Sequence, residues 1–189
     1  INYAGEVIEE TGAFYLDVKA ENDKALEERK LAVFACEVEG EAKFVLPIRG
    51  AGLWGPIWGY IGGDKTDYTT ITKACFGNKG ETPGLGAKIA DEPSFAEAFV
   101  GKTVGEGEIL FEVAKPANRA TVNNGVDAIS GATITSQALG KTLNQWFGFY
   151  QNYFAKNGAA CQQECCNECK DECCTECTEE VEPANTVEE

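Results

Sequence analysis

Short apolar runs recur over the first two thirds of the chain, separated by polar and glycine-containing segments, and this pattern predicts β-strands. The runs contain many β-branched and aromatic residues, which fit a pleated surface, and they cover residues 5–18, 31–38, 42–49, 56–63, 68–77 and 109–116. Glu39 and Gly40 lie between two of these runs and predict a hairpin turn. The charged segment 19–30 has no apolar stripe, which indicates a solvated helical turn or a loop.

Helical spacing replaces these short apolar runs toward the end of the chain. Apolar residues recur at three- and four-residue steps over 135–156 and form one face of a long predicted helix; they are Leu139, Leu143, Trp146, Phe147, Tyr150 and Phe154. A shorter helix is predicted over 93–100, with Pro93 near its first position, and Gly158 is a predicted helix stop. Strands followed by a short helix, a further strand and a long helix indicate an α+β domain with a mixed or antiparallel sheet.

Composition changes sharply after the long helix, so we predict one domain over residues 1–158 and an acidic, cysteine-rich tail over 159–189. The tail has almost no large apolar residue and is predicted to be disordered. Most of the chain's cysteines lie in it, namely Cys161, Cys165, Cys166, Cys169, Cys173, Cys174 and Cys177. Their thiolates suit zinc, copper(I) or an iron–sulfur cluster, and disulfide bonds are the alternative in an oxidising compartment. Cys36 and Cys75 lie in apolar strands and are predicted to be buried.

Charge and residue content exclude several functions. The net charge is −15, and the acidic residues concentrate in the tail, so binding to nucleic-acid phosphates is excluded. The chain has no His, which excludes nucleophile activation by His and His metal ligands. A bound cofactor is therefore the expected source of any chemistry. No apolar stretch is long enough to span a membrane. Because the chain contains no Met, we interpret it as a fragment or a processed form.

Small residues and hydroxyl residues cluster directly before the long helix. Gly131 and Ala132 allow another molecule to approach the backbone, and Ser130, Thr133 and Thr135 supply hydroxyl groups. The N–H groups of a first helical turn have no intrahelical acceptors and carry positive partial charge, which favours a phosphate. Three roles are open to a hydroxyl at this position: it caps the helix, hydrogen-bonds a phosphate or is esterified to one.

Three blocks of sequence resemble the FMN-binding domain family. The first is Asp127-Ala-Ile-Ser-Gly-Ala-Thr133, followed by Ile-Thr-Ser, and the others are Glu81-Thr-Pro-Gly-Leu-Gly86 and Gly50-Ala-Gly-Leu-Trp-Gly-Pro-Ile-Trp-Gly-Tyr60. In that family the last Thr of the first block forms a phosphoester with FMN, which a separate flavin transferase installs. The resemblance therefore implies that Thr133 carries covalent FMN, with Thr135 as the next candidate for the attachment.

The resemblance also implies which residues surround the flavin. Besides Thr133 they are Ser130, Gly131, Ala132, Thr135, Glu81, Thr82, Gly84, Leu85 and Trp54. The glycines allow close approach of the backbone, Leu85 is expected against the ring, and the polar side chains are expected to add hydrogen bonds. An ordinary Pro-Gly turn is the alternative for the second block. Trp54, Trp58 and Tyr60 alternate as on one face of a strand, where packing in the core is the alternative to stacking on the flavin.

The third block narrows the resemblance to the C subunits of sodium-translocating NADH:quinone oxidoreductases. The G subunits of Rnf-type ferredoxin:NAD oxidoreductases share the first two blocks but less of the third, and they are the alternative. The resemblance implies an electron-transfer subunit of a membrane-bound complex, anchored by an N-terminal helix that this sequence does not include. Its soluble domain is expected on the outer (periplasmic) face of the cytoplasmic (inner) membrane. A metal-binding module acting through the cysteine tail and a structural subunit without flavin are the competing hypotheses.

Overall fold

Residues 1–118 and 123–168 are described by the structure, a computed structural model, without the side chains of 118 and 159–168. The strands are β1 (Phe34–Val38), β2 (Glu41–Ala51), β3 (Pro56–Asp64), β4 (Ile71–Asn78), β5 (Glu112–Ala114) and β6 (Gly125–Asp127). The helices are α1 (Val18–Asn22), α2 (Lys88–Asp91), α3 (Pro93–Glu97) and α4 (Thr133–Glu168). Short 3₁₀ turns cover Ala13–Tyr15, Leu26–Glu28 and Pro116–Asn118.

The four long strands form an antiparallel sheet in the order β1-β2-β3-β4, so each strand pairs with the next along the chain. Glu39 and Gly40 connect β1 to β2 with φ angles of 55° and 84°. Two successive left-handed residues twist a two-residue turn to match its strands, and the predicted hairpin is confirmed. Strands β5 and β6 pair in parallel as a separate small sheet. The predicted α+β class is confirmed.

Helix α4 covers one face of the sheet with the apolar stripe that the sequence predicts. Every predicted stripe residue is buried, namely Leu139, Leu143, Trp146, Phe147, Tyr150 and Phe154. The two polar atoms on this stripe are paired, since Trp146 Nε1 donates to the Arg49 carbonyl and the Tyr150 hydroxyl to the Ala32 carbonyl, both at 2.7 Å. These bonds satisfy buried polar atoms and fix the helix, and therefore its first turn, relative to the sheet.

Residues 5–18 do not form the predicted strands. They contain a 3₁₀ turn over Ala13–Tyr15 and lead into α1, whose first turn is capped by the Asp17 carboxylate through the N–H groups of Lys19 and Ala20, at 2.9 and 3.1 Å. The apolar side chains that suggested a strand include Phe14 and Tyr15, which are exposed. A strand needs a neighbour that completes its hydrogen bonds, and among the described residues β1 pairs with β2 alone.

Gly158 does not end the long helix, because α4 continues to Glu168. A glycine in a helix interior costs about 1 kcal/mol relative to Ala, which is too little to stop a helix whose apolar stripe is buried as far as Phe154. The backbone of 159–168 is therefore helical, in contrast to the predicted disorder of the tail from 159. Residues 169–189 lie outside the described part of the chain. The domain boundary near 158 stays a prediction.

Cys36 and Cys75 are exposed, so the prediction that they are buried is wrong. Side chains alternate between the two faces of a strand. On β4, Ala74 is buried on the face that α4 covers, so its neighbour Cys75 points to the opposite face. Cys36 lies on β1, which is the edge of the sheet. An apolar run of sequence identified the strands but did not identify which of their two faces is covered.

Asp64 is expected to make the fold more stable above about pH 4 than at lower pH. Its carboxylate accepts from Lys43 Nζ at 2.7 Å and from the Thr66 N–H at 2.9 Å, and the hydrogen bond from Lys43 is the main reason that its pKa falls to about 2. A lowered folded-state pKa stabilises the fold above the unfolded value of about 3.9. That contribution is lost as the pH falls toward about 2.

Urea unfolding at a series of pH values measures this contribution. The wild type is expected to lose stability between the two pKa values, and Asp64→Asn is expected to flatten the dependence in that range. Asp91→Asn, a substitution at an exposed position of α2, is the matched control and is expected to keep it. Identical pH profiles for the wild type and Asp64→Asn would contradict the role of the Lys43 contact.

Candidate functional site

Three stretches that are distant in sequence meet at a cleft of about 270 Å³. They are the turn between β2 and β3, the loop after β4 and the start of α4. The lining residues are Leu53, Trp54, Glu81, Thr82, Leu85, Gly86, Gly131, Ala132, Thr133, Ile134 and Thr135. The fold therefore brings the three blocks that resemble the FMN-binding domain family to one place.

Glu81 connects the three stretches at the floor of the cleft. Its side chain is only 5% exposed. One carboxylate oxygen, Oε1, accepts from the Trp54 N–H at 2.8 Å, and the other, Oε2, accepts from the Thr135 hydroxyl at 2.6 Å. A buried carboxylate is costly unless hydrogen bonds satisfy it, and this one joins the β2–β3 turn to the first turn of α4.

Two glycines make room for this carboxylate. A Cβ atom at Gly52 would collide with Glu81 Oε1, and one at Gly86 would collide with Glu81 Oε2 and the Thr135 hydroxyl. The backbone therefore passes close to the carboxylate on both sides. Only a residue without a side chain allows that approach, which gives the Gly-rich blocks a local steric explanation.

The first turn of α4 presents one hydroxyl to the cleft and uses two others inside the protein. The Ser136 N–H donates to the Ala132 carbonyl at 2.9 Å, the first bond of the helix. The Ser136 hydroxyl, fully buried, accepts from the Ile129 N–H at 3.1 Å, and Thr135 is engaged by Glu81. Thr133 is half-buried in the cleft, and within the described chain its hydroxyl has no hydrogen-bond partner.

Gly131 shapes the approach to this turn. Its φ angle of 79° is in the left-handed region that favours glycine, and a Cβ atom there would lie 3.1 Å from a methyl group of Leu85. The backbone N–H groups that follow it at the start of α4 carry the positive end of the helix dipole. The positively polarised N-terminus of α4 therefore lies beside the Thr133 hydroxyl in the cleft. This arrangement suits a phosphate.

Large apolar side chains surround the cleft but remain in contact with solvent. Trp54 is 68% exposed, and the other three are also exposed: Leu53, Leu85 and Ile134. Clustered apolar exposure is typical of a binding site. An apolar rim together with a positive helix end suits a molecule that has both a flat ring system and a phosphate.

Most of the residues predicted to surround a flavin line this cleft. Two of the predicted contacts, Gly84 and Ser130, do not line it, and neither do two aromatic residues of the third block. Gly84 lies in the loop after β4, between Glu81 and Gly86. Its φ angle is 75°, and it does not line the cleft. Ser130 is exposed and lines a neighbouring cleft of about 550 Å³ together with Asp127. Trp58 and Tyr60 lie on β3 and also do not line the cleft, so of the three alternating aromatic residues only Trp54 does.

Sequence reasoning missed three lining residues. Leu53 and Ile134 are neighbours of Trp54 and Thr133, and the signal that was available is their position inside or directly after the motif blocks. Gly86, the third, closes the second block. For Thr135 the structure changes the expected role: it is 2% exposed and donates to Glu81, so it is poorly placed to be a second attachment site.

The predicted metal ligands of the cysteine tail lie outside the residues whose side chains the structure describes. Within the described chain, no group of three or more Cys, Asp or Glu residues is arranged to hold a metal ion. The metal site of the tail therefore stays a prediction.

A model of the FMN-binding domain family matches residues 52–148, a range that contains every residue lining the cleft. The chain belongs to the FMN-binding domain family. This FMN-binding domain is 40% identical to the C subunit of a Na⁺-translocating NADH-quinone reductase from Parabacteroides distasonis, with a TM-score of 0.72 over 82% of this chain and 75% of that one. The NqrC structure from Shewanella oneidensis is 30% identical, with a TM-score of 0.60 over 68% of this chain and 61% of that one.

Further relatives are also C subunits of Na⁺-translocating NADH-quinone reductases. The C subunit of the Na⁺-translocating NADH-quinone reductase from Neisseria meningitidis serogroup B is 35% identical over 69% of this chain and 52% of its own length. The one from Pseudomonas aeruginosa is 34% identical over 64% of this chain and 48% of its own length. The FMN-binding domain described here thus spans about half the length of these relatives. None of its described helices has the length and apolarity to cross a membrane.

Proposed function

We propose that this domain is an electron carrier that holds FMN through a phosphoester to Thr133. The observation that carries the proposal is the sorting of hydroxyl groups at the start of α4. Thr135 and Ser136 are buried and hydrogen-bonded inside the protein, whereas Thr133 lies in the cleft with its hydroxyl unpaired within the described chain. Membership of the FMN-binding domain family supports the choice of cofactor.

The residues of the cleft fit the two chemically different ends of FMN. The N–H groups at the start of α4 and the helix dipole stabilise the negative charge of a phosphate. The apolar rim, with Trp54 as its largest member, covers part of a flat ring and excludes water from it. A side chain at Gly131 would intrude toward Leu85, so the glycine keeps the approach open.

When bound, FMN supplies the transfer of electrons, and the chain itself needs no catalytic acid or base. The Thr133 oxygen forms the bond to the FMN phosphorus as a phosphoanhydride bond in an activated donor of the flavin-dinucleotide type breaks. The nucleoside monophosphate leaves and the hydroxyl proton is released, so the chain gains one FMN less one water. A separate flavin transferase is the proposed catalyst of that step. The chain's contribution to the electron transfer is to orient the flavin, to shield one part of it and to leave another part accessible from solvent.

We further propose that the domain works within a Na⁺-translocating NADH-quinone reductase. The similarity to the C subunits of such enzymes supports this assignment and favours it over the alternative, an Rnf-type G subunit. Other subunits of that complex are then the partners. An N-terminal membrane helix outside this sequence is the proposed anchor, and the periplasmic face of the inner membrane is the proposed location.

Two properties of the purified protein test the electron-carrier function. After co-expression with a flavin transferase, the chain should carry one covalent FMN, and its visible flavin absorbance should bleach with a chemical reductant and return in air. A chain that carries covalent flavin but does not undergo this cycle would contradict the electron-carrier role.

The cysteine tail is the basis of a separate proposal, a site for a soft metal ion. Its closely spaced thiols are the ligand type that zinc and copper(I) prefer. We expect protein purified under reducing conditions to bind zinc or copper(I), and protein truncated after residue 160 to lose this metal. Elemental analysis of both proteins measures the difference, and equal metal content in the two would exclude the tail as the site.

A further inference from the structure

The Glu81 carboxylate lies at the floor of the cleft and links two of the stretches that line it. It is 5% exposed, and each of its oxygens accepts from a group of the protein, the Trp54 N–H and the Thr135 hydroxyl. Within the described chain it forms no ion pair. The sequence led us to expect a direct polar contact between Glu81 and the cofactor, which stays a prediction. The structure adds that each Glu81 oxygen already accepts a hydrogen bond from the protein.

The two groups that Glu81 holds belong to opposite walls of the cleft. Trp54 belongs to the turn between β2 and β3 and supplies the largest side chain of the apolar rim. Thr135 belongs to the first turn of α4, two residues after Thr133. The carboxylate therefore fixes the distance between the wall that would contact the ring and the turn that carries the attachment hydroxyl.

We propose that Glu81 is a positioning residue, which fixes Thr133 relative to the Trp54 wall and so determines how readily flavin is attached. This role rests on the function proposed above. Other side chains at position 81 would not accept hydrogen bonds from both of these donors in the same way. A Gln side chain has one acceptor oxygen, whereas the Trp54 N–H and the Thr135 hydroxyl donate to two. An Asp side chain is one methylene shorter than Glu and does not reach both donors. Gly52 and Gly86 leave no space for a larger group.

The fold itself does not depend on this contact. The loop before α4 is held separately by the Ser136 hydroxyl and the Ile129 N–H, and α4 is fixed on the sheet by its apolar stripe and by the bonds of Trp146 and Tyr150. Loss of the Glu81 contact should therefore loosen the cleft while the domain stays folded. This separates a positioning role from a general structural one.

The test measures the rate of covalent FMN incorporation by intact mass, with purified apoproteins, a fixed amount of flavin transferase and an excess of flavin adenine dinucleotide as the FMN donor. A hydrogen bond to a charged group corresponds to a factor of about ten or more, so Glu81→Gln and Thr135→Val should each load at least about tenfold more slowly than the wild type. Thr135→Ser keeps the hydroxyl and should load at the wild-type rate. Glu97→Gln, exposed on α3, is the matched control and should also load normally.

A double variant shows whether the two side chains act through their shared bond. Glu81→Gln with Thr135→Val should load no more slowly than the slower single variant, because both changes remove the same interaction. Thermal unfolding of each apoprotein verifies that it is folded. If Glu81→Gln does not fold, Thr135→Val and Thr135→Ser decide the question alone.

The outcomes distinguish this inference from the function on which it rests. A wild-type chain that never acquires flavin would overturn the proposed function and the inference with it. A wild type that loads, together with Glu81→Gln or Thr135→Val loading equally fast, would overturn the positioning role alone. Equal slowing by Thr135→Ser and Thr135→Val would also overturn it, since the hydroxyl would then be irrelevant.

Discussion

A Thr133→Ala variant, co-expressed with a flavin transferase, is expected to contain no covalent flavin. Alanine has no oxygen with which to form the phosphoester, and the other hydroxyls of the first turn are buried and engaged. The helix should remain intact, because Ala is the most favourable helix residue and the Thr133 hydroxyl makes no hydrogen bond within the described chain. Intact mass and in-gel fluorescence of the denatured protein measure the loss.

Ser130→Ala is the matched control for this experiment. Ser130 belongs to the same motif but lines the neighbouring cleft, so its variant should keep one covalent flavin. If Thr133→Ala retains covalent flavin, the attachment site is elsewhere. Ser130, which is exposed, then becomes the next candidate in place of Thr135, which is 2% exposed and bound to Glu81.

A Phe147→Ala variant is expected to lose about 3–5 kcal/mol of the free energy of unfolding. Phe147 is 1% exposed and lies where α4 packs on the core, with its ring 6.1 Å from that of Phe111. Domains of this kind have a total stability of about 5–15 kcal/mol, so the variant should be near the limit of folding. Urea denaturation followed by circular dichroism measures the change.

Gln145→Ala provides the comparison on the same helix. Gln145 is exposed, and surface substitutions of this kind change stability by about 0.5 kcal/mol or less. A loss of less than about 1 kcal/mol for Phe147→Ala, well below the range for large buried side chains, would contradict the account. It would mean that α4 is not the main support of the sheet.

The elements that sequence predicted well are those whose pattern is long or chemically specific. The stripe from Leu139 to Phe154 has enough turns to define a helix and its buried face, and it is buried as expected. Glu39-Gly40 predicted the hairpin because few dipeptides adopt two left-handed residues in succession.

The sequence-based predictions were wrong where the structure of a segment depends on residues that are distant in sequence. Residues 5–18 have strand-like composition but no sheet neighbour, and Cys75 lies in an apolar strand but on its uncovered face. At Gly158 the weak local preference of glycine against helix was overridden by the continuing helix. The local sequence does not show which strands are neighbours, which face of a strand is covered or where a packed helix ends.

The candidate site also has features that the sequence predicted and features that depend on partners distant in sequence. Thr133 and the Gly-rich blocks were identified from sequence by their resemblance to the FMN-binding domain family, and the fold brings these blocks to one cleft. The role of Glu81 inside the protein was not identified from sequence, since it depends on a contact with Thr135 across 54 positions of the chain. A carboxylate within a turn motif is equally compatible with solvent, a ligand or a buried bond until the fold places its partners.

The intact mass of the wild-type chain after co-expression with a flavin transferase is the most direct test of the central claim. The account predicts an increase equal to one FMN less one water, and peptide mapping should place it on Thr133. An unchanged mass under conditions in which the same transferase modifies a known substrate would contradict the claim, and so would a modification mapped to any other residue.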